Sequence, residues 1–362
     1  MRVLRAWACA LALLPAACVG RSGQERVAPS APPLRSAPAV VAAPLVAPPG
    51  SVRQPPAALV RRIAELGRSF DGVVGIAVRD VQAGWTVSYN GASLFPQQSV
   101  SKLWVAITVL DAVDRGRLRL DQEVVIRRDD LTLFHQPIRA LVGADGYRTT
   151  IRALLEQAMQ RSDNTANDKL LWTAGGPDAV RAMLARGGIA GVRFGPGERQ
   201  LQSRTAGLEW RQDMADGNGF YAARSALPMA TRKAALRRYL ADPIDGASPD
   251  GITAGLSRLR KGELLSAAST QHLLALMAGS KTGPQRMRAG IGPGWAFAHK
   301  TGTGQELGGL ATGYNDVGLV TAPDGHTYAV AVMIGSTSLP IPARQQLMSN
   351  VTRAIVAQAL PA

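Results

Sequence analysis

The sequence predicts an α/β fold of the α+β kind: an antiparallel sheet with flanking helices, built from both ends of the chain, and an all-helical domain inserted between them. Three observations predict it. Residues alternate between apolar and polar at 72–80 and 84–90, and again at 295–300, 316–321 and 327–334. Between 100 and 277 apolar residues instead recur at helical spacing. Helical patterns also border the strands on both sides, at 57–70 and 342–359. Strands at the two ends can bury a common apolar face in one sheet only if the ends meet, which makes the middle an insertion.

Taken in order, the chain opens with Arg2 and Arg5, an apolar run at 6–14, then Pro15, Ala16, Ala17 and Cys18. Basic, apolar, then small is the layout of an export signal, and the apolar run is too short to span a bilayer as a helix. The reading is an export signal at 1–18 and a mature protein that is periplasmic or secreted. Cys18 after two alanines resembles a lipoprotein box, with Pro15 where such boxes carry leucine; lipidation there would tether the protein to the envelope membrane. Residues 19–56, most plainly 27–56, are rich in Pro, Ala and Val, a composition that stays extended and reads as a tether. The helix at 57–70 carries Ala58, Leu59, Ile63 and Leu66 at helical spacing and leads into the first strand and its hairpin partner. These elements, 57–96, join 291–362 as the sheet domain. The helical domain takes 97–290, with Leu103, Ile107, Leu110 and Val113 on one stripe and Leu154, Leu155 and Met159 on another. Pro323-Asp324-Gly325 turns the last two strands into a hairpin.

Composition narrows the chemistry. Both cysteines, Cys9 and Cys18, precede residue 19, so the folded body is expected to hold neither a disulfide nor a thiolate metal site. His135, His272, His299 and His326 are scattered without paired spacing, and no metal or cofactor is expected. The net charge is +15; only six of the 41 Lys and Arg and one of the 26 acids lie in 1–56, so the excess survives loss of the leader. A basic surface suits carboxylate substrates or anionic envelope polymers, although an arginine-rich solvated surface explains it equally well. With no basic stripe interleaved with aromatics, no nucleic-acid partner is expected, and the protein is expected to act as a monomer.

Three short motifs carry chemistry. Ser99-Val100-Ser101-Lys102 opens the most apolar helix and places a hydroxyl and an amine on one face. A serine is a poor nucleophile until a neighbouring base removes its proton, and a helix N-terminus offers N–H groups to a developing oxyanion. At roughly 5% usage for each type, S-x-x-K arises about once by chance in such a chain, so alone it means little. Ser162-Asp163-Asn164 sits between two helical patterns, where it can face the first motif or simply cap a helix. Lys300-Thr301-Gly302-Thr303 ends a strand, where glycine admits a ligand to the backbone and lysine offers a cation to a carboxylate. A second K-T-G, at Lys281, Thr282 and Gly283, follows a helical run and reads as a helix stop with Gly at the cap.

S-x-x-K, S-D-N and K-T-G in this order resemble the class A serine β-lactamases and the related penicillin-binding proteins. The resemblance runs from about residue 57 to the end. Asn167, Leu170, Leu171, Gly175-Gly176-Pro177 and Gly262-Glu263-Leu264-Leu265 fit it, as does Arg286-Met287-Arg288-Ala289-Gly290 ahead of Gly294-Trp295. Glu198-Arg199-Gln200-Leu201-Gln202 matches the loop that separates the hydrolases from the wall-building enzymes. The resemblance implies a β-lactam as the small-molecule substrate. Ser99 would attack its carbonyl, with Lys102, or Glu198 through a water, as base. Backbone N–H groups of Ser99 and Thr303 would hold the oxyanion, and Ser162 would protonate the leaving nitrogen. Asn164 would hold the substrate's side-chain amide, while Lys300, Thr301, Thr303 and Arg286 bind its carboxylate. Glu198 and Gln202 would place the deacylating water.

The chain departs from the family pattern at three places. Gln202 stands where the family has asparagine, and Pro196 where an arginine commonly anchors the loop. An extra stretch at about 206–248, with Trp210, Tyr221 and an Arg-rich piece at 236–240, reads as a lid, a partner surface or a solvated elaboration, the last being favoured. Two other functions remain: a D,D-peptidase of the cell wall, which shares Ser99, Lys102 and Lys300 but has no need of Glu198, and a non-catalytic envelope-binding module.

Overall fold

A computed structural model describes residues 54–359, so the export signal at 1–18, Cys18 and most of the tether lie outside the described residues. Helix α1 (Ala57–Ser69) buries Leu59, Ile63 and Leu66, and strands β1 (Val73–Asp80) and β2 (Thr86–Tyr89) follow as a hairpin. A two-residue strand β3 (Phe95–Pro96) leads through a 3₁₀ turn at Gln98–Ser101 into α2 (Lys102–Asp114). Eleven of the 13 residues of α2 are buried, which is why its sequence is apolar all round. The middle of the chain is less purely helical than its periodicity predicts. A hairpin of β4 (Glu123–Ile126) and β5 (Tyr147–Thr150) precedes α3 (Ile151–Gln160), α4 (Asn164–Thr173) and α5 (Gly176–Arg186). Next come α6 (Glu198–Thr205), α7 (Gly219–Ala226) and α8 (Met229–Ala241), then β6 (Gly246–Ala247), which pairs with β3. Helices α9 (Pro249–Arg260) and α10 (Ala267–Ala278) close the insertion. Strands β7 (Ala296–Gly302), β8 (Glu306–Leu307), β9 (Leu310–Thr321) and β10 (Thr327–Thr337) and helix α11 (Ile341–Ala359) complete the chain.

The main sheet is antiparallel with order β2-β1-β10-β9-β7, and β8 pairs with β9, so the two chain ends meet at the β1–β10 pairing. Both faces are covered, and period-2 alternation sorts the side chains between them. On β10, Val330, Val332 and Ile334 join Val74, Ile76 and Val78 of β1 under α1 and α11. The odd residues Ala329, Ala331 and Met333 face the other way and pack with Leu103 and Ile107 of α2 and Ile252 and Leu256 of α9. The sheet and the insertion thus share one apolar core, and the 3₁₀ turn that leads into α2 packs against β7 and β9. Strand β9 starts six residues before its predicted start at 316. Leu310–Asn315 lacks the alternation of an ordinary strand, and Gly313 lies at φ +60°, where a Cβ would come within 2.6 Å of the Gln98 side chain.

Candidate active site

The 3₁₀ turn at Gln98–Ser101 runs straight into α2, and the three-residue spacing puts Lys102 beside Ser99: its Nζ donates to Ser99 Oγ at 2.7 Å. Lys102 is fully buried, where an ammonium must satisfy all three protons. The other two go to Asn164 Oδ1 at 2.8 Å and to the Glu198 carboxylate. Gln98, just before the nucleophile, sits at φ +53°, strained for a residue with a side chain. Its N–H is held by Asp245 Oδ2 at 2.9 Å.

The S-D-N tripeptide divides its roles. Asp163 is the cap of α4, accepting from the N–H groups of Ala166 at 2.9 Å and Ile138 at 2.7 Å, and burial raises its carboxyl pKa. Ser162, at φ +61°, ends the α3 turn in a conformation that glycine ordinarily takes, and its Oγ accepts from Lys300 Nζ at 2.8 Å. Asn164 opens α4, and its Nδ2 donates to Leu133 O at 2.8 Å, which turns its Oδ1 toward Lys102.

Lys300 is wholly buried on β7; desolvation, and then the charge of Lys102, hold its pKa well below the ordinary lysine range. Gly302 acts differently from expectation. A Cβ there would come within 2.4 Å of Gln97 O, so the missing side chain lets the strand close on the nucleophile turn rather than admit a ligand. Arg286 reaches across the strand end: Nη1 donates to Gly302 O at 2.9 Å and Asn315 O at 2.6 Å, and Nη2 to Thr303 Oγ1 at 2.6 Å. Its guanidinium lies 3.8 Å from the Tyr314 ring centroid.

Glu198 begins α6, its N–H donating to Asp168 Oδ1 at 3.0 Å. Burial, and then the Glu198 charge, push the Asp168 carboxyl up to about 6. The longer amide of Gln202 spans between neighbours, Nε2 donating to Gln98 Oε1 at 2.9 Å and to Glu198 Oε2 at 3.3 Å. Where Pro196 removes an arginine, the loop is fastened otherwise. Val192 bridges to Ala247, Arg193 N–H donates to Gly246 O at 2.8 Å and Gln97 Nε2 donates to Arg193 O at 2.8 Å, while Asp245 accepts from Tyr239 OH at 2.9 Å and from Gln98 N–H. Burial pushes the Asp245 carboxyl up to about 6.

These groups meet in a cleft of about 660 Å³. Ser99, Ser162, Asn164, Gln202, Arg286, Thr301 and Thr303 line it, while Lys102, Glu198 and Lys300 lie buried behind that surface. Two sequence readings need correction here. Gly279, not Gly283, ends α10, and the second K-T-G continues to the cleft: Thr282 and Gly283 line it, and Thr282 Oγ1 lies 2.7 Å from Thr301 Oγ1. The chain is drawn there because Lys281 N–H donates to Gln160 O at 2.8 Å. The extra stretch is no solvated elaboration either, since Tyr221 and Arg224 of α7 form part of the cleft wall. Small apolar clusters seat it, with Met214 and Phe220 against Leu133, and Leu236 and Tyr239 against Leu201. Its apolar residues at 220, 236 and 239 were the available signal, but nothing local says what they pack on.

The fold and this constellation define the class, a serine hydrolase of the acyl-transfer kind. The sequence profile of the Beta-lactamase enzyme family matches residues 58–359. Among curated proteins the chain is 25% identical to beta-lactamase VEB-1 of Pseudomonas aeruginosa, over 82% of this chain and 88% of that one. It is 29% identical to the extended-spectrum beta-lactamase PER-1 of the same organism, over 72% and 74%. A solved beta-lactamase from Chitinophaga pinensis superposes with a TM-score of 0.69 at 29% identity, covering 83% of this chain and 99% of that one. An ancestral class A beta-lactamase gives 0.65 at 29% identity, covering 83% and 99%. The chain belongs to the beta-lactamase enzyme family, as a class A serine β-lactamase.

Proposed function

We propose that this enzyme opens β-lactams in two steps through an ester on Ser99, with Glu198 serving the second. The observation that supports it most is the position of Lys102, whose three protons engage Ser99, Asn164 and Glu198 together. An ammonium donating three hydrogen bonds has no lone pair. To accept the Ser99 proton it must first release one, and Glu198 is the acceptor at hand. Ser99 Oγ then bonds to the lactam carbonyl carbon while the N–H groups of Ser99 and Thr303 hold the oxyanion. The C–N bond breaks, the nitrogen takes the Ser99 proton from Lys102 through Ser162, which Lys300 orients, and Glu198 hands its proton back to Lys102, so that its carboxylate is free again for the second step. Asn164 receives the side-chain amide, and Thr301, Thr303, Arg286 and Lys300 receive the carboxylate. The opened ring stays attached, so water must be brought to the ester. Glu198 takes its proton, with Gln202 as the second hydrogen-bond partner, and Ser99 leaves with its own proton restored.

Glu198→Ala tests this reading. A penicillin acyl-enzyme should accumulate in the variant and be seen by mass spectrometry, with deacylation slowed on the order of 10²–10⁴-fold. Hydrolysis by the variant at the wild-type rate, or a wild type that itself stays trapped, would replace the hydrolase by the penicillin-binding reading. The same reading places the enzyme outside the cytoplasm, as a monomer whose site is complete in one chain and with Cys18 as the candidate lipid anchor. Recovery of an intact Met1 in the cytosolic fraction would overturn the export.

A further inference from the structure

Residues 219–241, covering α7 and α8, hold five cations and no acid. Two of them, Arg224 and Arg232, are half-buried and border one recess with Gln305 and Leu307, and the Nε of each is buried without a hydrogen-bond partner. Nearby acids are committed elsewhere: Asp213 pairs with Arg211, Asp216 with Arg139 and Asp242 with Arg193. Glu306 in the cleft gives its carboxylate to Arg344 at 2.7 Å, so Arg224 reaches only its backbone, Nη2 donating to Glu306 O at 2.8 Å. Burial, and then the charge of Arg232, lower the Arg224 pKa, as expected of two facing guanidiniums that lack a counter-ion.

An arginine that lines a substrate cleft, with a second guanidinium behind it and no acid paired to either, is completed by an anion. Its place in the cleft says which. Gln305, which borders the recess, also donates to Gln202 O at 2.8 Å, so the recess lies at the Gln202 end of the cleft, whereas Arg286 and Thr303, joined by their own hydrogen bond, take the ring carboxylate in the reading above. Beside it stands an aromatic wall, with Phe134 edge-on to Phe220 at 4.8 Å and to Tyr221 at 6.2 Å. We propose that Arg224, backed by Arg232, binds a second anionic group carried on the acyl side chain of the substrate, the aromatic wall taking an aryl group on the same side chain. The class defined is an α-carboxylated arylacetamido β-lactam. The inference rests on the hydrolase reading, and it assigns to the extra segment a specificity that the three motifs do not supply.

Benzylpenicillin and carbenicillin differ only by that carboxylate. The ratio of their kcat/KM values, carbenicillin over benzylpenicillin, is the readout, because any misfolded fraction cancels in it. Arg224→Gln should lower the ratio about tenfold, mainly through the KM of carbenicillin, and Arg224→Lys should restore part of it. Arg237→Gln, which removes an exposed cation of α8, should leave the ratio where it is. Raising the salt should lower the ratio in the wild type and not in Arg224→Gln. An unchanged ratio in Arg224→Gln, or an equal fall in Arg237→Gln, would overturn the subsite while hydrolysis of benzylpenicillin still upheld the enzyme. A wild type inert toward both penicillins would overturn the hydrolase reading and the subsite with it.

Discussion

The two K-T-G segments are identical in sequence and unlike in everything the fold adds. Lys300 is sealed behind the cleft on a sheet strand, whereas Lys281 is exposed on a loop. Gly302 is pressed against the carbonyl of Gln97, but Gly283 is a loop glycine at φ +64°. Only the threonines converge, with their hydroxyls 2.7 Å apart. A motif therefore acts through what its backbone is paired with. The strand copy is placed by β9, which fixes it against the nucleophile turn, while the loop copy contributes one hydroxyl.

Lys300→Ala should break this contrast most severely, lowering kcat/KM for a penicillin by about 10²-fold or more, since it removes a buried cation and the partner of Ser162. Steady-state kinetics checks it, and a loss no larger than in Lys281→Ala would erase the distinction. Next, because Lys300 titrates below the ordinary lysine range, kcat/KM in the wild type should fall on the alkaline side as the amine loses its charge. In Lys300→Arg that limb should move to higher pH, as a pH–rate profile would show. Thr282→Val should cost about fivefold, read chiefly in KM, because it deletes one hydrogen bond that orients Thr301. The smallest effect belongs to Lys281→Ala, expected to stay within about twofold of the wild type because its side chain is exposed.

The sheet was legible because each of its strands must sort side chains to two covered faces, as Val330 and Ala331 do on β10. The reactive residues were legible because their spacing is local chemistry. Ser99 and Lys102 share a helical turn, and Lys300 to Gly302 close a strand. What escaped was set by distant neighbours. No pattern around Lys281 announces that Gln160 O will hold its backbone, and nothing near Arg224 tells that Glu306 will spend its carboxylate on Arg344. The β4–β5 hairpin was missed for another reason: its strands are four residues long, too short for alternation to stand out among helices. Gln202 departs from the family's asparagine, and only the fold shows what its longer amide reaches, Gln98 at 2.9 Å.

Tyr239 carries a last consequence. It belongs to the extra segment, yet its hydroxyl holds Asp245, which in turn holds the N–H of Gln98 beside the nucleophile. The insertion is therefore not modular. Excising α7 and α8 to recover a short loop would strand a buried carboxylate with one donor fewer, at the residue that precedes Ser99. A compact descendant of this enzyme would need another donor for Asp245 before it lost the segment, and that order of events constrains how its active-site wall can be remodelled.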